Sequence, residues 1–297
     1  MTKVLIITGL TGSGKSGLAV KIAKEFNGEI ISADSVQIYR GLNIGSAKEE
    51  QQTMQEIPHH LIDIKDFNES YNVGEFIIDV QSALKQVISK GKLPIIVGGT
   101  GMYVKALLEG YSFGETSANE ELRLKYQNIA KIEGNEAVWN VLNKFNPERA
   151  KTVHFNNLKR VIRYIEIETN QQELTKTESI LTDYDLCAVG IVADREIIYS
   201  KINKRVDQML DMGLETEIKA LISKGATRNM QAFNSIGYKE WFDYFEGKQS
   251  KEKTIELIKQ HTRNYCKRQL TFLKTIKGIE LLAISDAEDK IRSFLND

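Results

Sequence analysis

The chain has 297 residues, of which 41% are hydrophobic and 27% charged, and its 40 Lys and Arg balance its 40 Asp and Glu. That is room for about two domains with a sizeable core, and neutrality means that a nucleic-acid partner must meet a local basic patch instead of bulk charge. Two distant cysteines, Cys187 and Cys266, exclude a disulfide framework or a cysteine metal site and fit a cytoplasmic protein, and no apolar run approaches the ~18 residues of a membrane span, so no membrane partner is expected.

Lys3–Thr8 (KVLIIT) is apolar and β-rich and reads as a first strand, not as a leader. It runs into GLTGSGKS, Gly9–Ser16, and then into a helix, GLAVKIAKEFN, that Gly28 is expected to close. Glu29–Ala33 is a second strand, ending at Asp34-Ser35. A polar, poorly periodic stretch and PHHLIDI precede a helix from about Asn72 to Lys90, stopped by Gly91. Leu93–Val97 is a third apolar strand, ending in Gly98-Gly99-Thr100-Gly101, with the helix MYVKALLEG behind it. This rhythm predicts a P-loop NTPase-like α/β fold, a parallel sheet of strands buried on both faces and flanked by helices.

The pattern changes near Gly114. Ser117 and Glu120 form a capping box that opens a helix, and the periodicity stays helical to about Lys176, with Pro147 at a first helical position behind Asn146. A core of residues 1–113 and 187–297 is therefore expected, with an all-α insertion domain at 114–186. Leu186–Ala193 returns as a strand, capped by Asp194. One long helix from about Glu196 to Ser223 carries the stripe Ile198, Ile202, Val206, Met209 and Leu210, and a last one, about Ser250 to Lys274, closes the chain.

Ligands of open parallel sheets bind beyond the carboxyl ends of the strands, where three informative turns should converge. Gly9–Ser16 fits G-x-x-x-x-G-K-[ST]. Its glycines let main-chain N–H groups face phosphate oxygens, the helix N-terminus adds positive potential, Lys15 adds a point charge and Ser16 a hydroxyl for Mg²⁺. Asp34 is either a turn cap or a group that accepts a proton or holds a metal through water. The paired glycines before Thr100 indicate close approach of something to the backbone. No acid follows the third strand, where P-loop NTPases carry one; Asp63 and Asp194, behind apolar runs, are the available substitutes. Adjacent His59 and His60 would face opposite ways on a strand and read as structural, so the four histidines make no metal site.

Neutral overall charge hides two basic stretches. In NNLKRVIRYIE, Asn156–Glu166, the residues Leu158, Val161, Ile162 and Ile165 form a buried face, while Arg160 and Arg163 share another with Lys159 beside them. Lys259–Lys277 contains no acid, and Lys259, Arg263, Lys267 and Lys274 line one helical face. Ordinary solvated faces mix signs, so one-signed stripes favour a polyanion. Phe155, Tyr164, Tyr265 and Phe272 read as packing in preference to stacking platforms. Arg205, off the apolar stripe of its helix, is either a phosphate clamp or half of a surface ion pair.

Together GLTGSGKS, ISADSVQIYRGLNIGSAK, PHHLID, PIIVGGTGMY, LKRVIRYIE, DREIIYSKINKRVDQMLDMGLETEI, SIGYKE and KRQLTF resemble the tRNA dimethylallyltransferase (tRNA isopentenyltransferase) family, over nearly the whole chain. The resemblance implies transfer of a dimethylallyl group from dimethylallyl diphosphate to N6 of the adenosine at position 37 of tRNA, next to the anticodon. The substrates would enter a channel from opposite mouths. The resemblance implies a diphosphate site of Gly9, Leu10, Thr11, Gly12, Ser13, Gly14, Lys15 and Ser16, with Mg²⁺ at Ser16. It also implies three catalytic residues: Asp34 as proton acceptor, Thr100 where the substrates meet, and Arg205 on the diphosphate. Implied tRNA contacts are Asp34, Ser35, Val36, Gln37, Thr100 and Arg123; Asn157, Leu158, Lys159, Arg160, Val161 and Arg163; and Ser235, Ile236, Gly237, Tyr238 and Lys239. The partners would be the tRNA anticodon stem-loop, held by the insertion, and the prenyl donor, with the chain a monomer. The target adenine would have to flip out of its stack.

Leu10 and Gly12 stand where the family usually has proline and alanine, Val36 where it often has arginine, and Phe272-Leu273-Lys274 where it usually has Trp-Phe-Arg. None of these carries a chemical role above. Three other readings stay open: a P-loop kinase of a small metabolite, which gives the basic helices no task; a prenyltransferase of free adenine nucleotides, which needs no SIGYKE element; and a non-catalytic RNA-binding module that uses the loop as an anion site.

Overall fold

KVLIITG forms β1 (Lys3–Gly9), and every residue of it except Lys3 is buried. The computed structural model describes residues 1–49, 51–110, 119–170 and 178–297. They fall into two compact units, Met1–Gly110 with Glu178–Asp297, and Tyr111–Thr177.

In the first unit β1 is followed by α1 (Lys15–Glu25), β2 (Gly28–Ser32), α2 (Gln51–Glu56), β3 (His59–His60), α3 (Val73–Ser89), β4 (Leu93–Gly98) and α4 (Gly101–Glu109). The second unit holds α5 (Glu120–Glu133), α6 (Asn135–Phe145), α7 (Pro147–Lys151) and α8 (Leu158–Thr169). The first unit resumes with β5 (Asp185–Ile191), α9 (Arg195–Asp211) and α10 (Leu214–Ser223). A 3₁₀ turn at Gln231–Asn234 leads to α11 (Trp241–Phe245), α12 (Lys251–Leu273), β6 (Glu280–Leu282) and α13 (Ile284–Asn296).

The six strands pair in the order β3-β2-β4-β1-β5-β6, all parallel. Alternation along β1 explains the layers. Val4 and Ile6 join Phe76, Leu84, Val104 and Ile202 in one core, and Leu5 and Ile7 join Leu18, Ile22, Ala287 and Ile291 in the other. Each such side chain contributes about 1.5–3 kcal/mol by leaving water. Among the described residues no helix is long and apolar enough to cross a membrane.

Several expectations about element ends are corrected. Gly28 does not close α1; Asn27 takes the positive φ of 50° after that helix. Gly28 opens β2 instead, where a Cβ would meet Ile95 Cδ1 at 2.9 Å. The expected single helix from Glu196 to Ser223 is two helices, α9 and α10, broken where Gly213 adopts φ 94°. α12 does not close the chain, because β6 and α13 add a strand and a helix behind it. LPIIV is the fourth strand in the chain, since the short β3 precedes it.

The second unit is helical in its described part, 119–170. Asn119 caps α5, accepting the N–H of Leu122 at 3.0 Å. Ser117, Gly114 and Lys176 lie outside the described residues. Asn146 caps α7 with Pro147 behind it, as expected. Tyr126, Val138, Leu142, Val161, Ile162 and Ile165 form this unit's own core, and Trp139 Nε1 donates to Val153 O at 2.9 Å.

Candidate active site

The turn after β1 is shaped by glycine. Gly12 and Gly14 hold φ of 78° and 92°, and a Cβ on Gly9 would meet Ile191 O at 2.4 Å. Leu10 N–H is spent on Ile191 O and Ser13 N–H on Leu10 O. Among the described residues nothing accepts from the N–H groups of Gly12, Gly14, Lys15 or Ser16. Ser13 is buried, and its hydroxyl has no partner. These are the donors an anion at a helix N-terminus would use. Among the described residues Lys15 Nζ reaches only Leu10 O, at 3.4 Å. Burial first, and the neighbouring Arg205 second, pull its pKa down to about 8, with Asp34 opposing.

Asp34 follows β2. Its Oδ1 accepts the N–H of Val36 at 2.8 Å and of Gln37 at 3.3 Å, which fixes the carboxylate as a turn cap. No hydrogen bond from the described residues engages Oδ2. The turn-cap reading of Asp34 therefore describes one of its oxygens and leaves the other open. Thr100, at the N-cap of α4, accepts Ser35 N–H at 3.1 Å and so locks the turn after β4 onto the turn after β2.

What approaches the paired glycines is the protein itself. A Cβ on Gly98 would meet Ala33 O at 2.1 Å, one on Gly99 would meet Gln269 Nε2 at 2.6 Å, and one on Gly101 would meet the Phe272 ring at 2.5 Å. The glycines let β4 and α4 come close to β2 and α12.

The three turns converge on a cavity of about 400 Å³. Thr11, Lys15, Ser16, Asp34 to Gln37, Thr100 and Arg205 line it, together with Ser235, Ile236, Gly237 and Lys239. Arg205 makes no ion pair or hydrogen bond with the described residues, so it is not half of a surface pair; burial lowers its pKa while Asp34 and Glu49 oppose. A second cavity of about 660 Å³ shares Ala47, Glu49, Arg205 and Met209 and adds Met54 and Met212.

Some expected residues do not reach the cavity. Leu10 is buried among core side chains, and Tyr238 is fully buried with its hydroxyl on Glu217 at 2.7 Å. Two residues of α12 were not anticipated. Tyr265, read from the sequence as packing, lines the cavity, and burial together with Asp34 pushes its hydroxyl up to about 12. Gln269 accepts Thr11 N–H and donates to Gly99 O. The sequence signal for Gln269 was the stretch KRQLTF, and for Tyr265 its place among the aromatic residues of the basic stretch.

The substitute acids for a phosphate-site metal do not line the cavity at the three turns. Asp63 pairs with Lys48 at 2.6 Å, and Asp194 is the N-cap residue of α9. Among the described residues no three His, Cys, Asp or Glu converge to hold a metal. Mg²⁺ at a phosphate loop draws its oxygens from one hydroxyl, the phosphates and water, and a partly exposed Ser16 on the wall shared with Asp34 fits that donor set.

The basic stretches differ from expectation. On α12, Lys259 pairs with Asp207 at 2.6 Å and Arg263 with Glu256 at 3.0 Å, so that stripe is half neutralised. In the helical unit, Glu166 is fully buried and takes Arg123 at 2.7 and 3.1 Å and Arg163 at 3.2 Å. Arg123 also reaches Glu120 at 3.5 Å, and beside this cluster Asn157, Lys159 and Arg160 are exposed. Arg160 lies over the Tyr164 ring, 5.3 Å from its centre. Leu158 is half-buried, and Val161 is fully buried and offers no side chain to a partner.

A glycine-rich phosphate turn, a carboxylate and a cation gathered at the carboxyl edge of one parallel sheet define a P-loop-type α/β protein. The family model for IPP transferase matches residues 37–276, and the chain belongs to that family. It is 44% identical to the tRNA dimethylallyltransferase of Exiguobacterium sp., over 92% of this chain and 88% of that one. It is 39% identical to the enzyme of the same name from Lactococcus lactis, over 99% of each. The crystal structure of the tRNA isopentenylpyrophosphate transferase of Bacillus halodurans superposes with a TM-score of 0.73 at 36% identity, covering 100% of this chain and 96% of that one. A eukaryotic dimethylallyltransferase acting on tRNA gives 0.77 at 30% identity, covering 99% and 78%.

Proposed function

We infer that this chain is a tRNA dimethylallyltransferase, which moves the dimethylallyl group of dimethylallyl diphosphate onto N6 of the adenosine at position 37 of tRNA. The observation that carries the site assignment is the convergence of Lys15, Arg205, Thr100 and the open oxygen of Asp34 on one cavity. A kinase would need the phosphate turn and a metal-holding acid, and leaves an ordered carboxylate opposite the loop without a task.

The N6 lone pair is delocalised into the adenine ring and attacks poorly unaided. Asp34 takes the N6 proton as the nitrogen bonds to C1 of the allylic chain, and the C1–O bond breaks with its electrons going to the diphosphate. Fixed donors meet that charge: the main-chain N–H groups of the loop, the Ser13 hydroxyl, Lys15 and Arg205. The Ser16 hydroxyl would hold Mg²⁺, which would supply further charge neutralisation to the leaving group. Thr100 fixes Ser35 and with it the face that Asp34 presents.

The adenine must leave its stack, at a cost of a few kcal/mol. Val36, Gln37, Ser235, Ile236, Gly237 and Lys239 receive it, and Arg123, Lys159, Arg160 and Arg163 of the helical unit meet tRNA phosphates. The chain is proposed to act as a monomer. The test is transfer of labelled dimethylallyl to an unmodified anticodon stem-loop. Asp34→Ala is expected to abolish it, and near-normal turnover in that variant would overturn the assignment of Asp34.

A further inference from the structure

Gln269 lies on α12, is only 6% exposed, and uses both ends of its amide. Oε1 accepts the N–H of Thr11 in the diphosphate turn at 2.9 Å, and Nε2 donates to Gly99 O, next to Thr100, also at 2.9 Å. Thr100 in turn holds Ser35, the neighbour of Asp34. The side chain is thus the bridge between the loop that would hold the leaving group and the turns that would hold the base. One partner is a donor and the other an acceptor, and a primary amide matches both at once. Glutamate would set a second acceptor against Gly99 O, and methionine would take the acceptor from Thr11 N–H and leave Gly99 O to the longer bond from the Tyr265 hydroxyl at 3.4 Å. The fit is tight, since a Cβ on Gly99 would come within 2.6 Å of Nε2.

We propose that Gln269 is a positioning residue that fixes the gap between the diphosphate loop and the Asp34–Thr100 edge, and so couples departure of diphosphate to attack by the amine. The proposal rests on the transfer reaction above. Displacement needs the reacting atoms about 3–3.5 Å apart, and a shift near 1 Å costs about 10²-fold in rate. An allylic diphosphate in a slackened site still loses its leaving group, because the loop still stabilises diphosphate. Water then replaces the amine: its oxygen bonds to the allylic carbon, the C–O bond to diphosphate breaks, and a proton passes to solvent. The products are an allylic alcohol and diphosphate, with no modified base.

The experiment counts diphosphate released per adenosine modified, using the full chain, Mg²⁺, dimethylallyl diphosphate and an unmodified anticodon stem-loop. The wild type is expected to give a ratio of about one. Gln269→Met and Gln269→Glu are expected to raise it several-fold, with kcat for transfer down by about 10²-fold and the KM for donor changed by less than about threefold. Gly99→Ala, which displaces Nε2 from the other side, is expected to do the same. A wild type that modifies tRNA while all folded variants keep a ratio of one, or change KM alone, overturns the inference and spares the function. Variants that all fail to fold assign Gln269 to the scaffold and overturn it as well. A wild type that modifies no tRNA overturns the proposed function, and this inference with it.

Discussion

Glu217 accepts the hydroxyl of Tyr238 at 2.7 Å, and the same carboxylate takes the main-chain N–H groups of Asn43 at 3.0 Å and Ile44 at 2.8 Å. One side chain of α10 therefore ties together two segments that line the cavity, Gly45 to Ala47 and Ser235 to Lys239. The contact admits no side chain at Gly45, where a Cβ would meet the Tyr238 ring at 2.5 Å. Glu217→Ala leaves the Tyr238 hydroxyl buried without an acceptor and is expected to cost about 2 kcal/mol in urea unfolding, with Glu217→Gln recovering part of it. An unchanged midpoint would contradict this role.

Lys15 gives the enzyme a pH limb. Its ammonium is lowered to about 8 by burial and by Arg205. Only the charged form attracts diphosphate, so kcat/KM for the donor, which reports the free enzyme, is expected to fall as pH rises through about 8. Bound diphosphate favours the ammonium again, so donor binding above that pH takes up a proton, measurable by titration calorimetry in buffers of different ionisation heat. A flat kcat/KM profile up to about pH 9.5, near the ordinary lysine range, would contradict the assignment.

The helical unit is expected to read tRNA through charge. Arg163→Ala is expected to raise the KM for tRNA and to flatten its dependence on log salt by about one unit of slope. Glu166→Ala leaves Arg123 and Arg163 facing each other across an emptied buried site, and should destabilise this unit by about 3 kcal/mol. An unchanged salt slope in the first variant would remove Arg163 from the phosphate contacts.

The sequence made the sheet edge readable because its motifs are short and local. GLTGSGKS, Asp34 and Thr100 each follow an apolar run, and the parallel-sheet rule alone brings three such ends together, as the cavity does. Arg205 was readable as off-stripe, but its release from any ion pair depends on what faces α9. Tyr265 and Gln269 were missed because periodicity says that a helix face is buried and not what it is buried against. The α12 stripe misled for the same reason, since Asp207, which neutralises Lys259, comes from another helix. Gly213 lies inside the stretch read as one helix, and its positive φ ends α9. β3 and β6 are two and three residues long, too short to carry a period of their own.

The central claim is that a carbon–oxygen bond of dimethylallyl diphosphate breaks while the diphosphate stays in Gly9–Ser16 and the chain passes to adenosine. It is tested most directly by reacting an unmodified anticodon stem-loop with donor carrying ¹⁸O in the bridging oxygen, then weighing both the digested nucleosides and the released diphosphate. The account predicts N6-dimethylallyladenosine at position 37 and all of the ¹⁸O in diphosphate. Unmodified adenosine, or label left on the organic product, would contradict it.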